Sequence, residues 1–111
     1  MAGRFLIAGT GARVGKTTIG CALGFAMRAR GMRVGVMKPV DTPESQDAQA
    51  LALAVGSILP MELICPYRYS ADSAPDFAHI LRCFSQIATQ NEIMLVESTD
   101  TIDFADLAAN A

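Results

Sequence analysis

Residues 9–18, which read GTGARVGKTT, constrain the fold of this chain more than any other segment. The apolar run RFLIAG precedes them and a stretch with helical spacing follows, so the segment is predicted to connect a strand to a helix. Glycines permit tight bends there, and the N–H groups at a helix N-terminus bind anions. We therefore expect a nucleotide-phosphate site made of Gly9, Thr10, Gly11, Ala12, Arg13, Val14, Gly15, Lys16, Thr17 and Thr18.

The spacing inside this loop differs by one residue from the common phosphate loop. The common form has four residues between its first glycine and Gly-Lys, whereas five residues separate Gly9 from Gly15 here. Placement after a strand and before a helix still favours a phosphate site. In that site Lys16 would reach the outer phosphates, and the hydroxyl of Thr17 would bind Mg²⁺.

The remaining pattern alternates strands with helices. Strands are predicted at residues 4–9, 33–38 and 92–97, with a short extended piece within residues 62–70. Helices are predicted at residues 15–30, 47–55 and 75–90, the last with apolar residues on one face. A strand, helix, strand order makes a right-handed unit with parallel strands. We therefore expect one α/β domain over residues 1–111, with a parallel sheet and flanking helices.

Composition narrows the class of protein. The chain has 111 residues, of which 51% are hydrophobic and 18% charged, so a globular domain is expected. Its apolar runs are too short for a membrane span or a signal peptide, so a cytoplasmic location is expected. The three cysteines are far apart in sequence, and we expect reduced packing residues without a disulfide or zinc site.

The charged residues are distributed unevenly along the chain. Residues 1–40 contain seven basic side chains and no acid, and all eleven acids follow. This pattern fits an anion site in the first forty residues with later acids holding a cation, although solvated helix faces would give the same pattern.

Three charged residues beyond the loop are candidates for the site. Lys38 ends a predicted strand, and ligands bind at the carboxyl ends of strands in open α/β sheets; the alternative is a surface lysine. Glu97 ends the apolar strand IMLV, where a metal or its bound water can be held, and the alternative is a solvated strand end. Asp47 begins a predicted helix, so it either caps that helix or binds Mg²⁺.

At the segment KPV the sequence resembles the dethiobiotin synthetase family. Members have five residues between the first glycine and GKT, a strand ending in Lys-Pro-Val, an Asp-Ala helix start, an NPY or CPY segment and a strand ending in Val-Glu. The matching segments here are residues 9–17, MKPV, QDAQALAL, ICPYRYSADSAP and LVE, and the tail TDTIDFADLAA is also similar. The resemblance covers nearly the whole chain and implies a P-loop NTPase-like fold, here shortened to the N-terminal half of the family.

The resemblance also implies an activity and a set of residue roles. Family members use ATP and Mg²⁺ to carboxylate 7,8-diaminononanoate with CO₂ and to close a ureido ring in biotin synthesis. Lys16 would bind ATP, while Thr17, Asp47 and Glu97 would hold Mg²⁺. Lys38 would orient the carbamate, and Thr42 would lie near the substrate. The family is dimeric, so a homo-oligomer is expected, with neither a nucleic acid nor a membrane as partner.

The chain departs from the family pattern at several places. A glycine-rich GAGG loop follows Val-Glu in the family, whereas STDTID follows Glu97 here, as though about nine residues had been removed. Ala12 and Arg13 replace the family's usual Thr and Glu, and Asp76 stands where His is frequent. The segments of the family's C-terminal half, including the one that recognises the base, have no counterpart in this sequence.

Three classes of protein are therefore compatible with the sequence. The first is an ATP-dependent carbon–nitrogen ligase of the dethiobiotin synthetase type. The second is a module that binds Mg-ATP or phosphate without turnover. The third is a phosphate-loop switch such as a partitioning ATPase, which is disfavoured because Gly11 stands where those proteins have a second lysine.

Overall fold

The structure is a computed structural model that describes residues 16–68 and 76–97. The predicted strand at 4–9, most of the phosphate loop and the tail after Glu97 lie outside those residues. The elements in chain order are α1 (Lys16–Ala29), β1 (Val34–Met37), β2 (Val40–Asp41), α2 (Asp47–Val55), α3 (Met61–Ile64), β3 (Tyr67–Arg68), α4 (Phe77–Ala88) and β4 (Ile93–Val96).

The central feature of the fold is the parallel pairing of β1 with β4. Val34 lies opposite Ile93 and Met37 lies opposite Val96, and every residue of both strands is buried. Strands that are covered on both faces read as continuous apolar runs, which explains the sequences VGVM and IMLV. The prediction of an α/β domain with parallel strands and flanking helices is confirmed.

After β1 the chain leaves the β4 ladder and pairs with a second short segment. The N–H of Lys38 donates to Ile64 O at 2.8 Å, and the N–H of Tyr67 donates to Pro39 O at 3.1 Å. β2 then pairs in parallel with β3, with Asp41 opposite Arg68. Because Pro39 has no N–H to donate, this change of partner comes directly after Lys38 and places that residue between the two pairs of strands.

α4 covers one face of the sheet. Its side chains Ile80, Phe84 and Ile87 are fully buried in a cluster that includes Met37 and Val96, so the amphipathic pattern predicted for this helix is confirmed. The helix is shorter than the predicted range 75–90. Asp76 is its N-cap and accepts a hydrogen bond from Ala78 N.

α1 and α2 belong to the other side of the sheet. Leu51 and Val55 of α2 pack with Val36 and Leu95. α1 approaches through Gly24, where an added Cβ would lie 2.7 Å from Val55 Cγ1 and 3.2 Å from Leu95 Cδ1. The apolar period that predicts α1 does not mark its buried face: Ile19 is 62% exposed and Leu23 is 41% exposed. Gly24, which has no side chain, allows α1 to approach α2 and β4 closely instead.

The segment after α2 contains the short extended piece predicted within residues 62–70, together with a helical turn that the sequence did not predict. Met61–Ile64 forms the helical turn α3, with Cys65 N donating to Met61 O at 2.8 Å, and only Tyr67–Arg68 is a strand there. Pro60 precedes the turn in an extended conformation, and its carbonyl accepts from Leu63 N. Proline suits a helix start, because the first N–H groups have no partner within the helix.

The cysteines and the helix lengths agree with a packed α/β domain. All three cysteines are free thiols; Cys65 and Cys83 are buried and Cys21 is partly buried. The burial of Cys65 and Cys83 agrees with the packing role expected for them. No helix in the part of the chain that the structure describes is long and apolar enough to cross a bilayer.

Candidate functional site

Lys38 and Glu97 follow adjacent strands at the carboxyl edge of the sheet. β1 ends at Met37 and β4 ends at Val96, and the N–H of Glu97 donates to Met37 O at 2.9 Å. Both side chains are almost completely buried, with 8% of Lys38 and 7% of Glu97 exposed. The alternatives of a surface lysine and a solvated strand end are therefore wrong for these two residues.

The ammonium group of Lys38 contacts three carboxylates. Its Nζ lies 2.6 Å from Asp47 Oδ2, 3.0 Å from Glu97 Oε2 and 3.5 Å from Asp41 Oδ1. Lys38, Asp47 and Glu97 were predicted as site residues, and the structure places both acids in direct contact with Lys38. We call these four residues, Lys38, Asp41, Asp47 and Glu97, the carboxylate–lysine cluster.

Opposing effects act on the pKa of Lys38. Burial lowers this pKa because it disfavours the charged amine, but hydrogen bonds to Asp47 and Glu97 and the charges of Glu97 and Asp41 outweigh burial. The net effect raises the pKa above its ordinary value. Lys38 is therefore a fixed positive charge at neutral pH, as a residue that binds an anionic group requires.

Asp47 directs its carboxylate to Lys38 and does not cap its own helix. The N-cap position of α2 is Gln46, which makes no side-chain capping bond, and Asp47 is the first helical residue. An acid in the first turn is still favourable beside the positive end of the helix dipole. The expectation that Asp47 caps the helix is wrong, whereas its assignment as a metal ligand stays a prediction.

Asp41 is a member of the cluster that sequence reasoning missed. Its side chain is 7% exposed, and its Oδ1 accepts a hydrogen bond from Thr42 N at 2.8 Å. Its Oδ2 is buried and has no hydrogen-bond partner among the described residues. The signal in the sequence was an acid placed directly after the segment KPV, just as Glu97 follows IMLV.

Thr42 begins an exposed loop that Arg68 holds. One guanidinium nitrogen of Arg68 donates to Thr42 O at 3.3 Å and to Ser45 O at 2.7 Å, and the other donates to Gln49 Oε1 at 3.5 Å. Thr42 is exposed and directly follows Asp41, so it lies at the solvent side of the cluster. Its assignment to the substrate stays a prediction.

The start of α1 is the part of the predicted nucleotide site that the structure describes. α1 begins at Lys16, directly after the glycine-rich loop, and Thr18 is exposed in its first turn. The side chains of Lys16 and Thr17 and residues 9–15 lie outside the described parts. A helix that begins at this lysine agrees with the arrangement that a phosphate loop requires, and the individual contacts to nucleotide remain predictions.

The donor atoms of the cluster suit a magnesium ion. Asp47 and Glu97 reach the same cation, the ammonium of Lys38, and carboxylate oxygens are ligands that Mg²⁺ prefers. Within residues 16–68 and 76–97 no three His, Cys, Asp or Glu side chains form a metal-binding group. Mg²⁺ usually takes one or two carboxylates and completes its shell with water and substrate phosphates, so the pair fits this ion when it enters with a nucleotide.

The parallel sheet, the glycine-rich segment before α1 and the charged residues at the carboxyl edge define a nucleotide-binding α/β protein of the P-loop type. The family model described as AAA domain matches residues 3–109, and the chain belongs to this family. Within it, the chain is related to the ATP-dependent dethiobiotin synthetases, which confirms the resemblance drawn from the motifs.

Three relatives, each named ATP-dependent dethiobiotin synthetase BioD, show the extent of this similarity. The protein of Anaeromyxobacter dehalogenans strain 2CP-C is 43% identical over 73 residues, which cover 62% of this chain and 33% of the relative. The protein of Janthinobacterium sp. strain Marseille is 32% identical over 133 positions, which cover 92% of this chain and 56% of the relative. The protein of Xanthomonas axonopodis pv. citri is 34% identical over 130 positions, which cover 93% of this chain and 58% of the relative.

The chain spans between one third and three fifths of the length of these relatives. The Janthinobacterium alignment has more positions than this chain has residues, 133 against 111, so that relative contains residues without a counterpart here. The surplus of at least 22 positions (133 − 111) is larger than the roughly nine residues expected to be missing after Glu97, so that connection alone does not account for it. The position of that connection lies outside the described residues and stays a prediction.

Proposed function

We propose that this chain carries the ATP- and Mg²⁺-dependent chemistry of dethiobiotin synthesis, in which 7,8-diaminononanoate is carboxylated and its ureido ring is closed. The observation that carries the proposal is the contact of Lys38 with both Asp47 and Glu97 at the carboxyl edge of the sheet. These residues belong to three segments that are separate in the sequence. Their meeting at one point supports a common role.

The proposed reaction has three steps. One amine of the substrate attacks CO₂ and forms a carbamate with loss of a proton. A carbamate oxygen then attacks the γ-phosphorus of ATP, and the bond to ADP breaks. The second amine finally attacks the carbonyl carbon, the ring closes and inorganic phosphate leaves. Magnesium would supply positive charge to the transferring phosphoryl group.

Each residue has a separate part in this proposal. Lys16 would hold the outer phosphates of ATP, and Thr17, Asp47 and Glu97 would hold Mg²⁺. Lys38, whose charge is constant at neutral pH, would bind and orient the carbamate anion. Thr42, exposed beside Asp41, would contact the diamine.

A second candidate function is nucleotide or phosphate binding without turnover. It is favoured by Ala12 and Arg13 inside the phosphate loop and by STDTID after Glu97, since a glycine-rich loop that positions substrate is expected there. Positioning can lower a barrier by about 7–11 kcal/mol. We therefore expect any ligase activity of this chain to be weaker than that of a relative with the glycine-rich loop.

Phosphate release from ATP distinguishes the two functions. The ligase requires release that depends on both the diamine and bicarbonate, and Lys38→Met abolishes it. Arg33→Met is the matched control, because Arg33 is an exposed cation paired with Glu92 away from the cluster. Release without either cosubstrate, or none with both, contradicts the ligase.

Calorimetry with Mg-ATP tests the phosphate loop separately. Lys16→Ala should abolish binding and leave the fold intact. Equal affinity in this variant would place the nucleotide elsewhere, and the absence of heat with the unaltered chain would exclude the site itself.

We also propose that the chain works as a single cytoplasmic domain over residues 1–111 and as a homodimer. Ile19 and Phe25 of α1 are 62% and 64% exposed, and burial of such apolar surface favours association. Sedimentation at micromolar concentration tests this, and a compact monomer would exclude the dimer.

A further inference from the structure

Lys38 occupies the position between the two carboxylates to which the proposed function assigns a divalent cation. Its Nζ is 2.6 Å from Asp47 Oδ2 and 3.0 Å from Glu97 Oε2. An ammonium group and a metal ion cannot both take those oxygens at close range, because two cations in one position repel each other. The lysine and the metal therefore compete for the same pair of acids.

Asp41 provides another place for the lysine. Its Oδ1 is 3.5 Å from Lys38 Nζ, the longest of the three contacts, and its buried Oδ2 has no hydrogen-bond partner among the described residues. A buried carboxylate oxygen without a donor is costly. Asp41 is also held in place, since it lies in β2 opposite Arg68 and accepts from Thr42 N.

From this arrangement we infer that Lys38 is an internal counter-ion which a divalent cation displaces from Asp47 and Glu97, and that Asp41 is the positioning residue that receives the displaced ammonium. The inference rests on the metal assignment made for the proposed function. Without metal, the ammonium group of Lys38 occupies the carboxylate oxygens of Asp47 and Glu97. When metal binds, the ammonium group moves toward Asp41 and so comes next to Thr42, where the proposed substrate binds.

The charge of the cluster supports an exchange of this kind. Three carboxylates lie within 3.5 Å of the ammonium group of Lys38, so this group can lose its contacts with two of them and keep the third. If the cation takes Asp47 and Glu97, Lys38 still needs an anionic partner, because it is 8% exposed and charged. Asp41 meets this need without a change in the backbone, since Lys38 and Asp41 are three positions apart.

Binding of Mn²⁺, followed by electron paramagnetic resonance with and without ATP, tests the inference. Lys38→Met should bind Mn²⁺ about tenfold more tightly than the unaltered chain, because the competing charge is gone. Asp41→Asn should bind several-fold more weakly, because the lysine has lost its second partner. In the Lys38→Met background Asp41→Asn should change the affinity little, since Asp41 acts through the lysine.

The outcomes separate this inference from the proposed function. If Lys38→Met does not tighten binding while Asp47→Asn abolishes it, the metal site stands and the lysine is not its competitor. If Asp41→Asn weakens binding equally in both backgrounds, Asp41 acts on the ion itself and its positioning role is wrong. If no variant binds Mn²⁺, the inference and the metal assignment both fail. Tighter Mn²⁺ binding by Lys38→Met, together with no cosubstrate-dependent phosphate release by the unaltered chain, keeps the inference and excludes the ligase.

If Lys38→Met folds poorly, thermal unfolding provides a second measurement of Mn²⁺ binding. A ligand that binds the folded state raises the unfolding temperature, so added Mn²⁺ should raise it more in Lys38→Met than in the unaltered chain. Asp41→Asn should show a smaller rise than the unaltered chain. The inference is wrong if the rise in unfolding temperature caused by Mn²⁺ is larger in both variants than in the unaltered chain, or smaller in both.

Discussion

The Nζ atom of Lys38 and the Oε2 atom of Glu97 lie 3.0 Å apart at the ends of two parallel strands that are distant in sequence. This contact depends on the register of the sheet, in which Met37 is opposite Val96, so that the next residue of each strand points to the same edge. A shift by one residue would turn one side chain to the other face. The stability of the sheet and the geometry of the site are therefore linked.

Lys38→Met should lower the free energy of unfolding by about 3 kcal/mol, because it removes the ammonium group that contacts the buried carboxylates of Asp41 and Glu97. The value is at the low end for a broken buried ion pair, since Asp47 keeps contact with solvent. Urea unfolding measures it. The control Arg33→Met removes a cation from an exposed pair and should change stability by less than about 1 kcal/mol. Equal losses in both variants would show that the cluster does not stabilise the fold.

The reactivity of Cys21 should report cation binding at the cluster. Burial raises the pKa of this thiol, and the charges of Glu97 and Asp47 raise it further. A cation on those carboxylates offsets their charge and lowers the pKa, so more of the reactive thiolate is present. Alkylation by iodoacetamide at about pH 8 should become faster when Mg²⁺ is added, as measured by peptide mass spectrometry.

Cys83 is the internal control for this experiment. Burial raises the pKa of Cys83, and the charge of Arg82 opposes that effect, with no contribution from the cluster. Its alkylation rate should not respond to Mg²⁺. An equal change at both cysteines would indicate a general effect of the salt on the protein.

Arg68→Lys should loosen the loop that contains Thr42. A lysine cannot reproduce the two-sided contacts of the guanidinium group with Thr42 O, Ser45 O and Gln49. We expect faster amide hydrogen exchange at Ser45, whose N–H donates to Thr42 O, and a loss of about 1–2 kcal/mol in stability. Arg82→Lys, at an exposed position of α4, is the matched control and should leave this exchange unchanged.

Gly35→Ala should destabilise the sheet, because β1 has no room there for a side chain. An added Cβ would lie 2.6 Å from Met94 Sδ, 2.7 Å from Ile87 Cγ2 and 2.8 Å from Asn91 Nδ2. Such overpacking costs about 1–3 kcal/mol, which thermal or urea unfolding will detect. Leu53→Ala is the control, since Leu53 is 82% exposed and its truncation should change stability by no more than about 0.5 kcal/mol. Unchanged stability of Gly35→Ala would mean that α4 packs less closely on β1 than the structure shows.

The sequence predicts the elements better than their contacts. Continuous apolar runs predict β1 and β4, and the amphipathic period predicts α4. In both cases the buried positions are occupied by apolar residues, so burial can be seen in the sequence. The sequence does not reveal the buried face of α1, where glycines make the close contact and apolar side chains are exposed. The turn α3 escapes prediction as well, because four residues after a proline show no period.

The same distinction applies to the site. Lys38, Asp47 and Glu97 are recognisable because each belongs to a motif at the end or start of an element. Their mutual contact, and the part of Asp41 in it, depend on the register of β1 with β4 and on the change of partner after Pro39. Those relations join distant parts of the chain, and no local pattern encodes them.

The pairing of β1 with β4 also determines when the site forms during synthesis. The hydrogen bond from Arg33 N to Glu92 Oε1, at the entrance to this pairing, joins residues 59 positions apart, and contacts between such distant residues form slowly. On the ribosome Lys38, Asp41 and Asp47 emerge well before Glu97. During that interval the apolar edge of β1 lacks its partner strand, and unpaired edges of this kind favour aggregation. Chaperone dependence and the yield of folded protein should therefore respond most strongly to changes in β4, the last strand of the described chain to be made.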